Sequence, residues 1–269
     1  MNSEKKLAGD EIVRAVIEES KQRNVEHAEA YFDSERELSI EVRDGQVENL
    51  KVAKDAGLGI RVIQNGRLGY AYTTELTWGT LANTLETALA NAKAASEDSY
   101  YTLPEPATSY PELDLDDPQL GQVSLEEKIE MARQMERSGR SFDPLVQLTE
   151  HVSYEEVSYE IAIANSKGVS LTSGGDLCGG MAAFVAGKDG DQQTGFSVAY
   201  VRRLIDLDPD ALGKEAARKA VRMVGAQRLS TKRVPVVMDP YVVSSFLGML
   251  ASALSAEAVQ KGRSLFAGK

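Results

Sequence analysis

The chain has 269 residues, 42% hydrophobic and 26% charged, with a formal net charge of -11. That length and apolar content can bury a sizeable core, and the acidic balance argues against direct nucleic-acid binding, which needs a basic face. One cysteine, Cys178, excludes an internal disulfide, and no segment approaches the ~20 apolar residues of a membrane span, so a soluble cytoplasmic protein is expected.

Residues 11–23 place Ile12, Val13, Val16 and Ile17 on one face, which predicts an amphipathic helix with Asp10 as its N-cap. A β-rich stretch follows. Residues 28–32 read as a short strand, and Leu38, Ile40 and Val42 alternate with polar neighbours up to Asp44-Gly45, a two-residue hairpin signal. Residues 47–52 return. Leu58, Ile60 and Val62 lead to a second such signal, Asn65-Gly66, and residues 68–72 return again. Gly57 and Gly59 read as small residues in a strand approached by another backbone, or at a bulge.

Leu81, Leu85, Ala88, Leu89 and Ala92 recur at helical spacing over residues 77–95, with Thr77 placed to cap. Residues 99–118 hold Pro104, Pro106, Pro111 and Pro118 among many acidic residues, an extended connector and the expected boundary between a domain at 1–120 and a second at 121–269. Ser124-Leu125-Glu126-Glu127 is a capping-box pattern opening a helix to about Ser138.

The second half then repeats the grammar of the first. Strands are expected at residues 152–164, 169–172, 176–187 and 193–201, with turns at 165–168 and at Lys188-Asp189-Gly190, followed by a helix over 209–224. Strand, turn, strand, hairpin and helix thus occur twice, without clear residue identity between the copies. The class is α+β: two units of antiparallel β-sheet with flanking helices, topologically repeated. Residues 234–238 read as a buried strand, and Asp239-Pro240 opens a last helix from Tyr241 to about Val259, with Val243, Phe246, Leu247, Leu250 and Leu254 in a stripe that suits a core helix. Gly262 after it reads as a C-cap, with Lys261 complementing the helix dipole.

Chemistry is sparse. A zinc hydrolase gathers imidazoles or carboxylates around an open metal position, and this chain has two histidines, His27 and His151, neither with a second His or Cys at ligand spacing. Both read as surface or boundary residues. No G-x-S-x-G elbow is present, and Cys178, among Gly174, Gly175, Gly179 and Gly180, reads as a packed or loop cysteine. No glycine run fits a phosphate-binding loop.

Four passages carry a family resemblance: residues 28–32 (AEAYF) with 38–45 (LSIEVRDG), Gly57-Leu58-Gly59-Ile60-Arg61-Val62, Pro235-Val236-Val237-Met238-Asp239-Pro240, and the closing stretch from Tyr241. They resemble the TldD/PmbA family, in particular its PmbA (TldE) branch, described as modulators of DNA gyrase. If Glu257-Ala258-Val259-Gln260-Lys261-Gly262 is set on the family's similar segment, the His-Glu-x-x-x-His metal helix of the catalytic subunits falls on residues 247–252. Its ligand positions then hold Leu247, Gly248 and Ser252. The resemblance implies a cytoplasmic peptidase assembly in which zinc belongs to a TldD-like partner, and this chain carries neither catalytic nor metal residues. Its partner would be that TldD-like subunit or a second copy, and its substrate an unfolded peptide, with Lys261, Arg263 and Ser264 as candidate contacts. Family members are longer, so a C-terminally shortened chain with an incomplete second domain is implied. The residues leave two alternatives open: a metallopeptidase in its own right, and a protein-binding modulator of gyrase without proteolysis.

Overall fold

The computed structural model describes residues 8–188 and 190–268. Helix α1 (Gly9–Gln22) precedes strands β1 (His27–Arg43), β2 (Gln46–Gln64) and β3 (Arg67–Thr73) and helix α2 (Trp78–Ala94); α3 (Leu125–Arg140) precedes β4 (Val146–Asn165), β5 (Ser170–Lys188), β6 (Asp191–Val201) and α4 (Pro209–Val221). The chain is α+β, and helix, three strands, helix occurs twice. The two sets of strands lie in one antiparallel sheet, ordered β3-β2-β1-β4-β5-β6, in which the pairing of β1 with β4 joins the repeats. Residues up to Gly225 form one compact unit, and residues from Ala226 onward a second.

Both hairpin signals give tight turns: Asp44, Gly45, Asn65 and Gly66 all have positive φ, the conformation a type I′ turn demands. The strands are longer than the apolar pattern predicts. Residues 33–37 continue β1 unbroken between the two expected strands, because Asp33, Glu35 and Glu37 all point to the face of the sheet opposite α1–α4, away from the apolar core. Likewise the segments expected at 169–172 and 176–187 are one strand, β5. Asp189, in the expected turn before Gly190, lies outside the described residues.

Four helices cover the opposite face. Ala28, Ala30 and Phe32 of β1 pack with Ile12, Val16, Ile60, Leu81 and Leu85 in a first core. Ile40 and Val42, farther along the same face, pack with Met135, Tyr154, Phe184 and Leu212 in a second. Thr77 caps α2, and Ser124 with Glu127 forms the expected capping box on α3. At α1 the expectation is corrected: Ala8 is the N-cap residue, its N–H donating to Glu11 Oε2 (3.2 Å), while Asp10 sits in the first turn and pairs with Arg14 (3.6 Å).

In each repeat the last strand meets the last helix through a glycine. A Cβ on Gly69 would lie 1.9 Å from Ala88 O and 2.4 Å from Ala92 N; a Cβ on Gly195 would lie 2.0 Å from Ala220 N and 2.6 Å from Ala216 O. In both copies a helix with alanines one turn apart touches bare strand backbone. Gly69→Ala and Gly195→Ala are each expected to lose about 1–3 kcal/mol, the range for overpacking, in a urea unfolding titration. A control substitution at exposed Gly79, where a Cβ would meet nothing within 4 Å, avoids that collision.

The connector is tied down along its length. Asn165 Nδ2 donates to Pro104 O (2.9 Å), Asp176 N to Leu115 O (2.8 Å), and Leu120 enters the second core. Buried Asp117 accepts the N–H groups of Leu204 (2.7 Å) and Gln119 (2.9 Å). Burial pushes its carboxyl pKa up, but the amide donors outweigh it and the net shift is downward. A lowered folded pKa contributes stability above the unfolded value of about 3.9, lost as pH falls through the folded pKa. Asp117→Asn is therefore expected to flatten the acid limb of the stability–pH curve below about pH 4, read by thermal unfolding across pH.

In the second unit, two expectations are corrected. Residues 234–238 form no strand, and Val237 is 100% exposed: an apolar run makes a strand only where a neighbour offers a ladder, and none of the described strands pairs with it. The last helix is two. α5 (Pro240–Ala253) opens with Asp239 Oδ1 accepting from Tyr241 N (3.0 Å), then stops; Ser255 starts α6 (Ala256–Gln260) by accepting from Ala258 N (3.2 Å). A serine able to cap competes with continuing the helix.

Candidate functional site

Positions 247, 248 and 252 lie on α5. Leu247 is 58% exposed, a Cβ on Gly248 would meet nothing within 4 Å, and Ser252 Oγ donates to Gly248 O (3.1 Å). The core-helix reading of this stripe is corrected, because no residue of α5 is buried. A leucine side chain, a glycine and a hydroxyl turned back onto its own helix offer no set of donors a zinc ion accepts. These residues do not fit the metal.

His27 opens β1 and His151 lies on β4, both part-exposed. Among the described residues no three His, Cys, Asp or Glu side chains gather where a metal ion could be held.

The closing turn is built as a helix stop. Gly262 has φ +64°, its N–H bonds Val259 O (3.1 Å), and Arg263 N bonds Ala258 O (2.8 Å), the paired bonds of a Schellman motif. Lys261 Nζ pairs with Glu257 (2.6 Å). Ser264 Oγ donates to Ala253 O (2.5 Å) and accepts from Phe266 N (3.0 Å), so both its hydrogen-bonding roles are engaged within the unit, while Arg263 is exposed. The structure brings these three residues into one turn; it gives Arg263 the freest head group of the three.

Cys178 sits inside β5, fully buried, with its thiol pushed up to about 12 by burial, then by the charges of Asp117 and Glu156. A thiol held protonated is a poor nucleophile. Native protein is expected to leave Cys178 unreacted with Ellman's reagent at pH 8 and to yield one thiol per chain in denaturant; prompt reaction in the native state would contradict this burial.

The feature that sequence patterns missed is a hollow on the uncovered face of the sheet. A cavity of about 730 Å³ is floored by Gly57 and Gly59 of β2 and walled by Tyr31, Tyr70 and Tyr72. Tyr70 and Tyr72 stack with ring centroids 6.4 Å apart. A Cβ on Gly59 would sit 2.9 Å from Tyr70 Oη, so here the close neighbour is a side chain and not the backbone expected. Glu29, Asp33 and Asp55 bring carboxylates; Arg61 is held by Glu29 (2.6 Å), and its Nε is buried without an acceptor. Three strands supply these residues, at i, i+2 positions whose sequence alternation is plain but whose neighbours become known only from the register.

Comparison with known proteins gives consistent matches along the chain. Family models described as PmbA/TldA metallopeptidase domain 1, central domain and C-terminal domain match residues 28–92, 118–224 and 231–269. The chain is 28% identical over 228 residues to Metalloprotease PmbA of Escherichia coli O157:H7, covering 83% of this chain and 50% of that protein. A crystal structure from Thermotoga maritima, described as a proposed modulator of a DNA gyrase, superposes with TM-score 0.87 at 25% identity, covering 97% of this chain and 59% of that one. TldE from Thermococcus kodakarensis has the same fold, with TM-score 0.84 at 20% identity over 97% of this chain and 58% of its own. The chain spans about half the length of the curated relatives it matches.

Proposed function

The chain belongs to the PmbA/TldD metallopeptidase family, and from that membership we propose that it acts as a non-catalytic, PmbA/TldE-like subunit beside a TldD-like metallopeptidase that processes unfolded peptides in the cytoplasm. The observation that carries this reading is the identity of the side chains at the metal-helix positions, Leu247, Gly248 and Ser252, which supply no ligand set. The zinc, on this reading, is the partner's. This chain contributes surface that holds substrate: the uncovered sheet face, and the turn bearing Lys261, Arg263 and Ser264.

The test is cleavage of an unfolded peptide by a TldD-like subunit with and without this chain. The rate or the product pattern is expected to change on adding it; identical rate and products count against the proposal. No helix among the described residues is long and apolar enough to cross a membrane.

The similarity to Metalloprotease PmbA of E. coli favours a second reading in which the PmbA-like chain is itself a peptidase. Stoichiometric zinc in the purified chain, with chelator-sensitive cleavage in the absence of any partner, would select it. The description of the Thermotoga protein favours a third, modulation of gyrase by binding; co-purification with gyrase alone would select that.

A further inference from the structure

The two repeats put β2 and β5 in equivalent places, each longer than the outer strand beside it. Residues 170–177 of β5 run past β6 and pair with β4 alone, and there the connector lies along the strand: Asp176 N donates to Leu115 O (2.8 Å), and a Cβ on Gly175 would meet Leu115 Cβ at 2.8 Å. Residues 46–57 of β2 likewise run past β3 and pair with β1 alone. The segment after β3 comes beside only their end, where Thr74 and Leu76 flank Lys54, Asp55 and Ala56. Among the described residues no backbone bond reaches this edge from a further strand or loop, and Leu50 and Val52 on it are 41% and 58% exposed. A long row of unpaired N–H and C=O groups is a template for another strand.

The hollow walled by Tyr31, Tyr70 and Tyr72 sits at the step where β3 ends and this edge begins: Asp55, Ala56 and Gly57 line it from β2, Thr73 and Thr74 from the end of β3. Its one cation, Arg61, is already paired with Glu29, whereas Asp33 and Asp55 make no ion pair among the described residues. We propose that β2 residues 46–57 bind an extended peptide by strand addition, and that the adjoining hollow receives a basic side chain of that peptide.

A strand laid on this edge in line with β3 sends alternate side chains to the uncovered face, and those at the step fall beside Asp55 and Asp33. A lysine or arginine there meets two carboxylates and the faces of Tyr31 and Tyr72. The local field supports this. Glu35, paired with Asp55 across the strands, has its carboxyl raised above the usual range by burial and then by the charges of Glu37, Asp33 and Asp55. An acidic side chain would meet like charge, and an apolar one would desolvate carboxylates without pairing them.

The inference rests on the proposed function in taking a peptide as ligand, and it adds where the peptide lies and what charge it carries. The probes are a fluorescein-labelled peptide of alternating threonine and lysine, its threonine–glutamate counterpart, and the lysine peptide N-methylated at alternate amides. Fluorescence anisotropy with the full chain reads affinity, and hydrogen exchange reads the site. The lysine peptide is expected to bind and to protect amides within residues 46–57. The glutamate peptide, the N-methylated peptide and the Asp33→Asn/Asp55→Asn chain with the lysine peptide are each expected to bind on the order of tenfold more weakly. That double variant should unfold at the wild-type urea midpoint. Equal affinity for the lysine and glutamate peptides, indifference to N-methylation, protection elsewhere, or no binding overturns the proposal. A chain that changes cleavage by a TldD-like subunit but fails these tests loses this inference alone; one that passes them yet leaves cleavage unchanged loses the functional reading instead.

Discussion

Glu156→Ala is expected to cost about 3–5 kcal/mol of folding stability, the penalty for leaving one member of a buried ion pair uncompensated. Glu156 on β4 and Lys128 on α3 are both buried, 2.7 Å apart, and Tyr154 Oη donates to the same carboxylate (2.9 Å). Burial and that neighbouring charge hold the Tyr154 phenol protonated, so it stays a donor. Removing the carboxylate strands an ammonium and a hydroxyl in the second core, next to Cys178. Urea unfolding by circular dichroism measures the loss, and earlier reaction of Cys178 with a thiol reagent localises it. The companion Lys128→Met/Tyr154→Phe/Glu156→Leu chain removes the hydroxyl along with both charges, leaves no stranded polar group, and is expected to lie within about 1.5 kcal/mol of wild type. If this triple variant is less stable than Glu156→Ala, the network contributes more than its desolvation costs, and the argument fails.

How far the sequence foretold this architecture depends on the range of the interaction. Local signals held: the Asp44-Gly45 and Asn65-Gly66 turns, the Thr77 and Ser124 caps, and the order of elements in each repeat all depend on a few adjacent residues. What pairing decides was hidden. The charged run at residues 33–37 reads as a break because its burial depends on which face the helices cover, and the apolar run at 234–238 reads as a strand because apolar content says nothing about whether a partner is present. The glycine–alanine contacts of Gly69 and Gly195 are the residue-level mark of the repeat, but each joins residues about twenty apart, so only the packed structure matches them. The same limit applies to the site. Leu247, Gly248 and Ser252 could be read by type alone, whereas the hollow of Tyr31, Asp33, Asp55 and Tyr72 needs the β1–β2–β3 register.

Glu136→Ala should be comparably severe, about 3–5 kcal/mol, although its partners are backbone amides and a hydroxyl and not a cation. Glu136 lies on α3, in the second repeat, buried at the foot of the β1–β2 hairpin from the first. Its Oε1 accepts from Asp44 N (2.8 Å) and Thr149 Oγ1 (2.7 Å), and its Oε2 from Gly45 N (2.8 Å). A type I′ turn leaves such amides pointing outward, and here one carboxylate takes both. Hydrogen bonds to a charged acceptor contribute about 1.5–3 kcal/mol each without adding fully, and alanine leaves three donors unmet. Glutamine is the informative comparison, because its carbonyl keeps one acceptor while its amide turns a donor toward another donor; Glu136→Gln should therefore lie nearer alanine than wild type. Hydrogen exchange separates a tether from simple core loss: Asp44 and Gly45 amides are expected to lose protection in either variant well before the strand pairs at the centre of β1 and β4 do. The free edge over residues 46–57 begins one residue past this turn, so loosening it should also weaken capture of an extended peptide at that edge. Unchanged protection at Asp44 and Gly45 would mean that the turn holds itself, and that Glu136 stabilises α3 alone.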